Sequence, residues 1–230
     1  MRPGEPLVDW GWIAGHLDDI AFRTAQHLLL AAIAVAAGLA ISFALALWIR
    51  RDRRALAPIT GLAGILYTIP SLALFAALVP FTGLSLLTAE IPLTIYTLQV
   101  LVRNIVAGLD ATPPDVREAA DGMGYPSIAR LRWIELPLAV PLVIAGLRLA
   151  AVSTIGLVMI VSLIGNNFGG LGLFIKEGIQ SFFATKVYVG VALSVGLAVL
   201  VDLAFVRLER AVTPWAMARA PTGAPSGAEA

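Results

Sequence analysis

The chain has no cysteine and only two histidines, and Asp, Glu, Lys and Arg together make up 13% of its 230 residues. Without cysteine, disulfides, thiol catalysis and thiolate-bound metals are excluded. His16 and His27 lack flanking ligands, so no metal site is expected and both read as interfacial side chains. A net charge of +1 leaves no basic surface for nucleic acid. No Gly-Lys-Ser/Thr follows the glycine-rich stretch 165–172, so it is not a phosphate-binding loop. No hydrolase triad or carboxylate pair stands out. Soluble domains carry about 25% charged residues, so a chain this poor in charge cannot clothe a water-facing surface. What it has instead is 59% hydrophobic residues, a mean hydropathy of +0.87 and several long apolar runs. Runs of roughly 20 residues cross a bilayer. The fold class expected is all-α, a polytopic membrane protein surrounded by lipid. The first long apolar run starts near Leu28 behind acidic residues, so a cleaved signal peptide is not expected.

Five spans are predicted, over 27–49, 56–79, 84–107, 137–164 and 187–206. Arg50, Arg51, Arg53 and Arg54 follow the first span directly and place that end in the cytoplasm by the positive-inside rule. The amino terminus is then outside, segment 108–136 inside, 165–186 outside and the carboxyl terminus inside. Eleven of the sixteen basic residues, Arg219 among them, fall at inner positions; four, Arg2, Arg23, Lys176 and Lys186, fall outside; Arg148 lies within a span. The chain therefore divides into an external amino-terminal segment 1–26, a transmembrane domain 27–210 and a disordered tail 211–230 rich in Ala, Pro, Gly and Ser. Within the first segment, residues 9–26 interleave Trp10, Trp12, Ile13 and Leu17 with Asp18, Asp19 and Arg23. They read as an amphipathic helix lying on the membrane, or else as a solvated linker.

The inner segment 108–136 carries the most specific pattern. Thr112 can cap a helix opened by Pro113, Pro114 and Asp115, running to about Met123, with Gly124 supplying a tight turn. Pro126 favours a second short helix, 127–133, and Pro137 opens the fourth span. The small Ala119 and Ala120 permit close approach of a partner, and Glu118 offers it a charge. Glu118, Ala119, Ala120, Gly124, Ile134, Leu136 and Pro137 together read E-A-A, three residues, G, nine residues, I, one residue, L-P. This resembles the EAA loop of the membrane subunits of bacterial ABC importers. The resemblance implies a type I ABC importer permease (MetI-like) fold, with the loop docking on an ATP-binding subunit. Segment Ile69–Ala76, with Pro70 and Ser71, and segment Tyr96–Asn104 are similar to the osmoprotectant permeases, which import glycine betaine, choline and carnitine. The similarity covers about 26–210. The stretch Gly165–Gly170 departs from the tighter Gly/Ala-rich run of those relatives and reads as an outer re-entrant turn.

The resemblance implies a conducting subunit, not an enzyme. Two ATP-binding subunits would hold ATP and Mg, and this chain would bind no cofactor. A second copy or a homologous permease would complete the path, and an external binding protein would deliver the solute. A methionine-type permease shares the plan and is the alternative substrate class. An ion-coupled secondary transporter would need intramembrane acids and repeated halves; only Asp202 reads as such an acid, and no repeat is visible. An intramembrane enzyme would need a catalytic constellation. Two features within spans bear on the path. Pro70 removes a helical hydrogen bond and kinks the second span, at a gate or purely for packing. Arg148 and Asp202 either pair between helices or reach water separately.

Overall fold

The computed structural model describes residues 7–165 and 168–214. The expectations for Arg2, for Asn166 and Asn167, and for the tail beyond Pro214, Arg219 included, lie outside the described residues. Every regular element among the described residues is helical. Four of the described helices are long and apolar enough to cross a membrane, and a bent pair among them makes a fifth if counted as one span.

The chain begins with a short helix α1, Trp10–Gly15, whose first turn is capped by Asp9 accepting from the Trp12 amide at 3.0 Å. The expectation of one membrane-lying helix through 26 is corrected here. The helix breaks at His16, and α2 then runs unbroken through Leu17–Arg51. Its 35 residues extend about 52 Å at the helical rise, well beyond a bilayer core of about 30 Å. α1 is held by the fold and does not float free. Trp12 meets Phe174 and Phe183 edge to ring at 6.0 and 5.7 Å, and the Asp9 amide donates to Thr185 Oγ1 at 2.9 Å. Such ring pairs add to the stabilisation that comes from the area they bury.

A 3₁₀ turn, Arg53–Ala55, leads to α3, Leu56–Thr68, and α4, Ser71–Thr82. These two are bent by 93° at Ile69–Pro70, so the second predicted span is a broken one. Neither piece, of 13 and 12 residues, reaches about 30 Å alone. The cause is local. Pro70 clashes with a helical conformation at the residue before it, and Ile69 is accordingly extended at ψ 128°. The exposed carbonyl of Ile69 accepts a hydrogen bond from the Tyr96 hydroxyl, so a neighbouring helix satisfies the break.

That neighbour is α5, Leu86–Asp110, which starts from a Ser85–Thr88 capping box. α5 packs on both α2 and α8, Leu136–Val161, and the three form the centre of the bundle. Close packing follows from small residues. A Cβ on Gly38 of α2 would fall 1.8 Å from Thr97 Oγ1, and one on Gly146 of α8 would fall 2.6 Å from Asn104 Cβ. Leu93, Leu101, Val102, Ile105 and Val158 are fully enclosed there. After the turn beyond residue 165 come α9, Gly172–Gln180, and α10, Ala184–Val212, which returns along α8. α2, α5 and α10 run toward the arginine-bearing end of the bundle, and α8 runs away from it.

His27 is fully buried, not interfacial as expected. Its Nε2 lies 2.9 Å from the Ile155 carbonyl, and its Nδ1 accepts from the Leu171 amide at 3.3 Å. The ring therefore ties α2 to α8 and to the turn after it. Gly170, at φ +48°, lies so close that a Cβ would meet His27 Cβ at 2.6 Å.

Candidate functional site

At the arginine-bearing end, the segment after α5 forms α6, Pro114–Gly122, and α7, Ser127–Arg130. Proline at the first position suits α6, because that amide has no helical partner in any case. The expected cap is absent: Thr112 is buried with its Oγ1 unpartnered, and Pro113 occupies the cap position. The other end of α6 closes as expected. Gly124 sits at φ +77°, its amide donates to the Asp121 carbonyl at 3.0 Å, and the Tyr125 amide donates to the Ala120 carbonyl at 3.1 Å. This is a Schellman closure, and its left-handed residue favours glycine.

The motif residues divide by face. Glu118 and Ala119 are exposed, whereas Ala120 is fully buried. The expectation that both alanines offer a seat to a partner is thus corrected: Ala120 packs inward against this chain, and only Ala119 faces out. Ile134, Leu136 and Pro137 are half-buried at the root of α8. Pro137 does not open a new helix. A π-helical turn, Leu131–Glu135, carries the chain from α7 into α8 without a break. The Leu136 amide bonds five residues back to the Leu131 carbonyl. The widened turn spares Pro137 the clash its ring would make with a carbonyl four residues earlier.

What holds this platform in place is a charge network. Glu135 is 2% exposed and accepts from Arg50 at 2.7 and 3.1 Å and from Arg130 at 3.0 Å. Arg130 also pairs with Asp121 of α6, and Arg50 donates to Ser127 at 3.3 Å. Arg117 donates to the Leu109 carbonyl at 2.7 Å, and Arg53 grips Asp110 with two bonds, at 3.0 and 2.8 Å. The arginine cluster, read from sequence as a topology signal alone, therefore also ties α2 and α5 to the loop. Glu135 was passed over because its burial depends on packing; its place inside I-E-L-P was the available signal. Met123, Ile128 and Trp133 stand 68%, 79% and 66% exposed around the loop, an apolar rim no periodicity marked. Together these give a rigid, outward-facing helix with a small residue, a free acid and an apolar rim, a geometry suited to holding a partner protein.

Within the spans, Arg148 of α8 and Asp202 of α10 form a two-point ion pair, Nη2 to Oδ2 at 2.9 Å. Their side chains remain 41% and 32% exposed, so the pair lies on the side of the bundle. Pro70 and Ser71 sit at the α3–α4 break. Two further in-span residues, Tyr96 of the similar segment 96–104 and Glu90, are given roles by the fold that the sequence does not assign; Glu90 also adds a second intramembrane acid to Asp202. Tyr96 supports the break, and it stacks edge-on with Tyr67 at 5.5 Å. Glu90 is a buried acid in the first turns of α5; a lone acid in an apolar run was the signal.

Comparison with known proteins agrees with this architecture. Residues 36–214 match the family model described as the inner membrane component of binding-protein-dependent transport systems. The osmoprotectant import permease protein of Salmonella typhimurium is 37% identical, over 87% of this chain and 94% of that protein. The carnitine transport permease protein of Listeria monocytogenes is 32% identical, over 91% and 94%. The glycine betaine/carnitine/choline transport system permease protein of Bacillus subtilis is 29% identical, over 85% and 89%. A chain of the inward-facing MetNI methionine ABC transporter superposes with a TM-score of 0.75, covering 86% of this chain and 98% of that one. At 22% identity that likeness speaks for the fold alone. With its helical fold, its apolar spans and a family match over most of its length, the chain belongs to the binding-protein-dependent transport system inner membrane components.

Proposed function

We propose that this chain is the conducting subunit of an ATP-driven importer of quaternary ammonium osmoprotectants such as glycine betaine, choline or carnitine. Two copies, or one copy and a homologous permease, enclose the path. Two ATP-binding subunits bind ATP and Mg and seat on α6 of each permease, and an external binding protein delivers the solute. The amino terminus lies outside, and the arginine-bearing end faces the cytoplasm.

The observation that carries this reading is the platform around α6. Its exposed face presents Glu118 and Ala119, while its inner face is fastened through Asp121, Arg130, Glu135 and Arg50 to α2 and α8. A push on the outer face is thereby passed to helices that span the membrane, as rigid-body alternating access requires. The substrate class rests on the names of the curated relatives, which favour osmoprotectants over methionine.

The test is reconstitution. The chain is placed in proteoliposomes with its ATP-binding subunit and its binding protein, and uptake of labelled glycine betaine, choline, carnitine and methionine is followed. ATP-dependent uptake of a quaternary ammonium solute and none of methionine is expected. Methionine uptake alone would overturn the substrate class, and uptake without ATP would overturn the ATP-driven mechanism.

A further inference from the structure

Two tyrosines stand at mid-membrane beside the broken helix. By the helical rise, Tyr67 lies about 16 Å past the start of α3 and Tyr96 about 15 Å past the start of α5. α3 sets out from the arginine-bearing end and α5 from the other, so both rings fall near the middle of a core of about 30 Å. Tyrosine ordinarily collects at the two membrane surfaces, where its hydroxyl meets water. Here the Tyr96 hydroxyl donates to the Ile69 carbonyl instead. The two rings are inclined at 68°, with centroids 5.5 Å apart. Tyr96 is buried and Tyr67 is 48% exposed, so the outer wall of this aromatic corner stays open.

One turn nearer the arginine-bearing end, Gly64 of α3 faces Gln99 of α5. A Cβ on Gly64 would come 3.8 Å from Gln99 Oε1. That oxygen is buried and has no donor among the described residues, which is uncommon for a buried acceptor. Tyr96, Gln99 and Arg103 recur at three and four residues and so share a face of α5. α5 is also the least apolar of the four described helices that can cross, with a mean hydropathy of 1.3 against 2.1 to 2.6. A polar stripe inside a membrane faces protein or a wet path, not lipid. The break adds a partial charge. α3 stops at Thr68, and the carbonyl end of a helix carries about half a negative charge.

We propose that Tyr67, Tyr96, Gln99 and the carbonyl end of α3 form a transit site for a quaternary ammonium head, at the middle of the path. The inference rests on the transport reading above. A quaternary ammonium has no N–H to place and presents its charge through methyl groups. Ring faces and carbonyl dipoles meet it without a full counter-charge. A small hard cation instead takes about six oxygens. Two rings, the Ile69 carbonyl and Gln99 Oε1 suit the methylated head and not the bare ion. With no carboxylate in the set, the solute is held loosely enough to leave, as conduction requires.

The experiment uses the permease assembled with its ATP-binding subunits, without the binding protein. The nanodiscs are of phosphatidylethanolamine and phosphatidylglycerol, free of choline lipid. Choline chloride is the probe, followed by saturation-transfer NMR of its methyl signal, with empty nanodiscs as the blank. The comparison is the neutral analogue of choline in which carbon replaces the nitrogen. Saturable choline binding is expected, with the neutral analogue about tenfold weaker. Tyr67→Phe keeps the ring and should bind choline as the unaltered protein does. Tyr67→Leu loses the ring and should bind about fivefold more weakly. Gln99→Leu should weaken binding about threefold without lowering the unfolding midpoint, because Gln99 Oε1 has no donor to lose. A merely structural glutamine would show the reverse. Thermal unfolding checks each variant, and Gln99→Leu carries the test if Tyr67→Leu does not assemble. Absence of saturable choline binding, equal binding of the neutral analogue, or binding unchanged in Tyr67→Leu and Gln99→Leu overturns the site. Binding-protein-driven uptake by the unaltered importer, measured in parallel, separates the premises. ATP-dependent uptake with choline binding absent overturns the site alone. Tyr67-dependent binding without uptake of any quaternary ammonium solute overturns the transport reading and leaves the cation site standing.

Discussion

Three N–H bonds from two guanidinium groups converge on Glu135, whose side chain is 3% exposed. Removing one partner from such a buried set leaves an uncompensated charge, at a cost of about 3–5 kcal/mol. Glu135→Ala takes away the acid that Arg50 and Arg130 share and leaves them only Ser127 and Asp121, so it should lower the unfolding midpoint and loosen the loop from α2. A midpoint within error of the unaltered protein, measured in the same lipid, would show the network to be dispensable. Arg148 and Asp202 call for a different measurement, since both remain partly exposed. Each single substitution, Arg148→Met or Asp202→Asn, leaves a lone charge on a span. The double variant should recover folded yield relative to the two single losses combined. Strict additivity would mean that the two side chains act independently.

α6 can be tested as an element because its two alanines face opposite ways. Ala119→Trp places bulk on the exposed face and should leave insertion and unfolding nearly unchanged while weakening association with the ATP-binding subunit. Ala120→Trp drives the same bulk into a closed interior, and overpacking of that kind costs about 1–3 kcal/mol. It should lower stability first. Gly124→Val forces a β-branched residue into the left-handed region, where even an ordinary L-residue is penalised by about 1–2 kcal/mol. The turn should shift, and ATP hydrolysis should continue without uptake. Coupled uptake at the normal rate in a well-inserted Ala119→Trp, Gly124→Val double variant would sink the docking role of α6. The α3–α4 break gives a second test. Tyr96→Phe leaves the Ile69 carbonyl without its donor, at a cost of about 1–3 kcal/mol, read as a lowered unfolding midpoint.

For the molecule as a whole, orientation in the membrane is the property to check, and the absence of cysteine makes the check direct. A single cysteine at Ala119 should react with a membrane-impermeant maleimide only from the cytoplasmic side. One at Ser181, exposed just after α9, should react only from outside. Labelling of both from one side would overturn the proposed topology. Much of the architecture is legible in the sequence itself. The predicted spans 27–49, 84–107, 137–164 and 187–206 each became a long helix, because in lipid an apolar run must satisfy its own backbone. The broken second span was legible in part: Pro70 announced a disturbance, but a kink and a 93° bend look alike in sequence.

Composition alone was enough to place this chain in a membrane, since charge so sparse cannot solvate a surface, and that conclusion needs no partner or packing. The turn at Gly124 and the break at Pro70 were likewise set locally, by the dihedral angles those residues allow or forbid. Tertiary structure decided the rest, because burial depends on what comes near from far along the chain. Glu135 became the keystone of the loop only when Arg50, 85 positions away, reached it. His27 changed from a surface side chain to a buried tie once Ile155 and Leu171 closed around it. Glu90 became conspicuous only when the folded bundle enclosed it and brought it no donor.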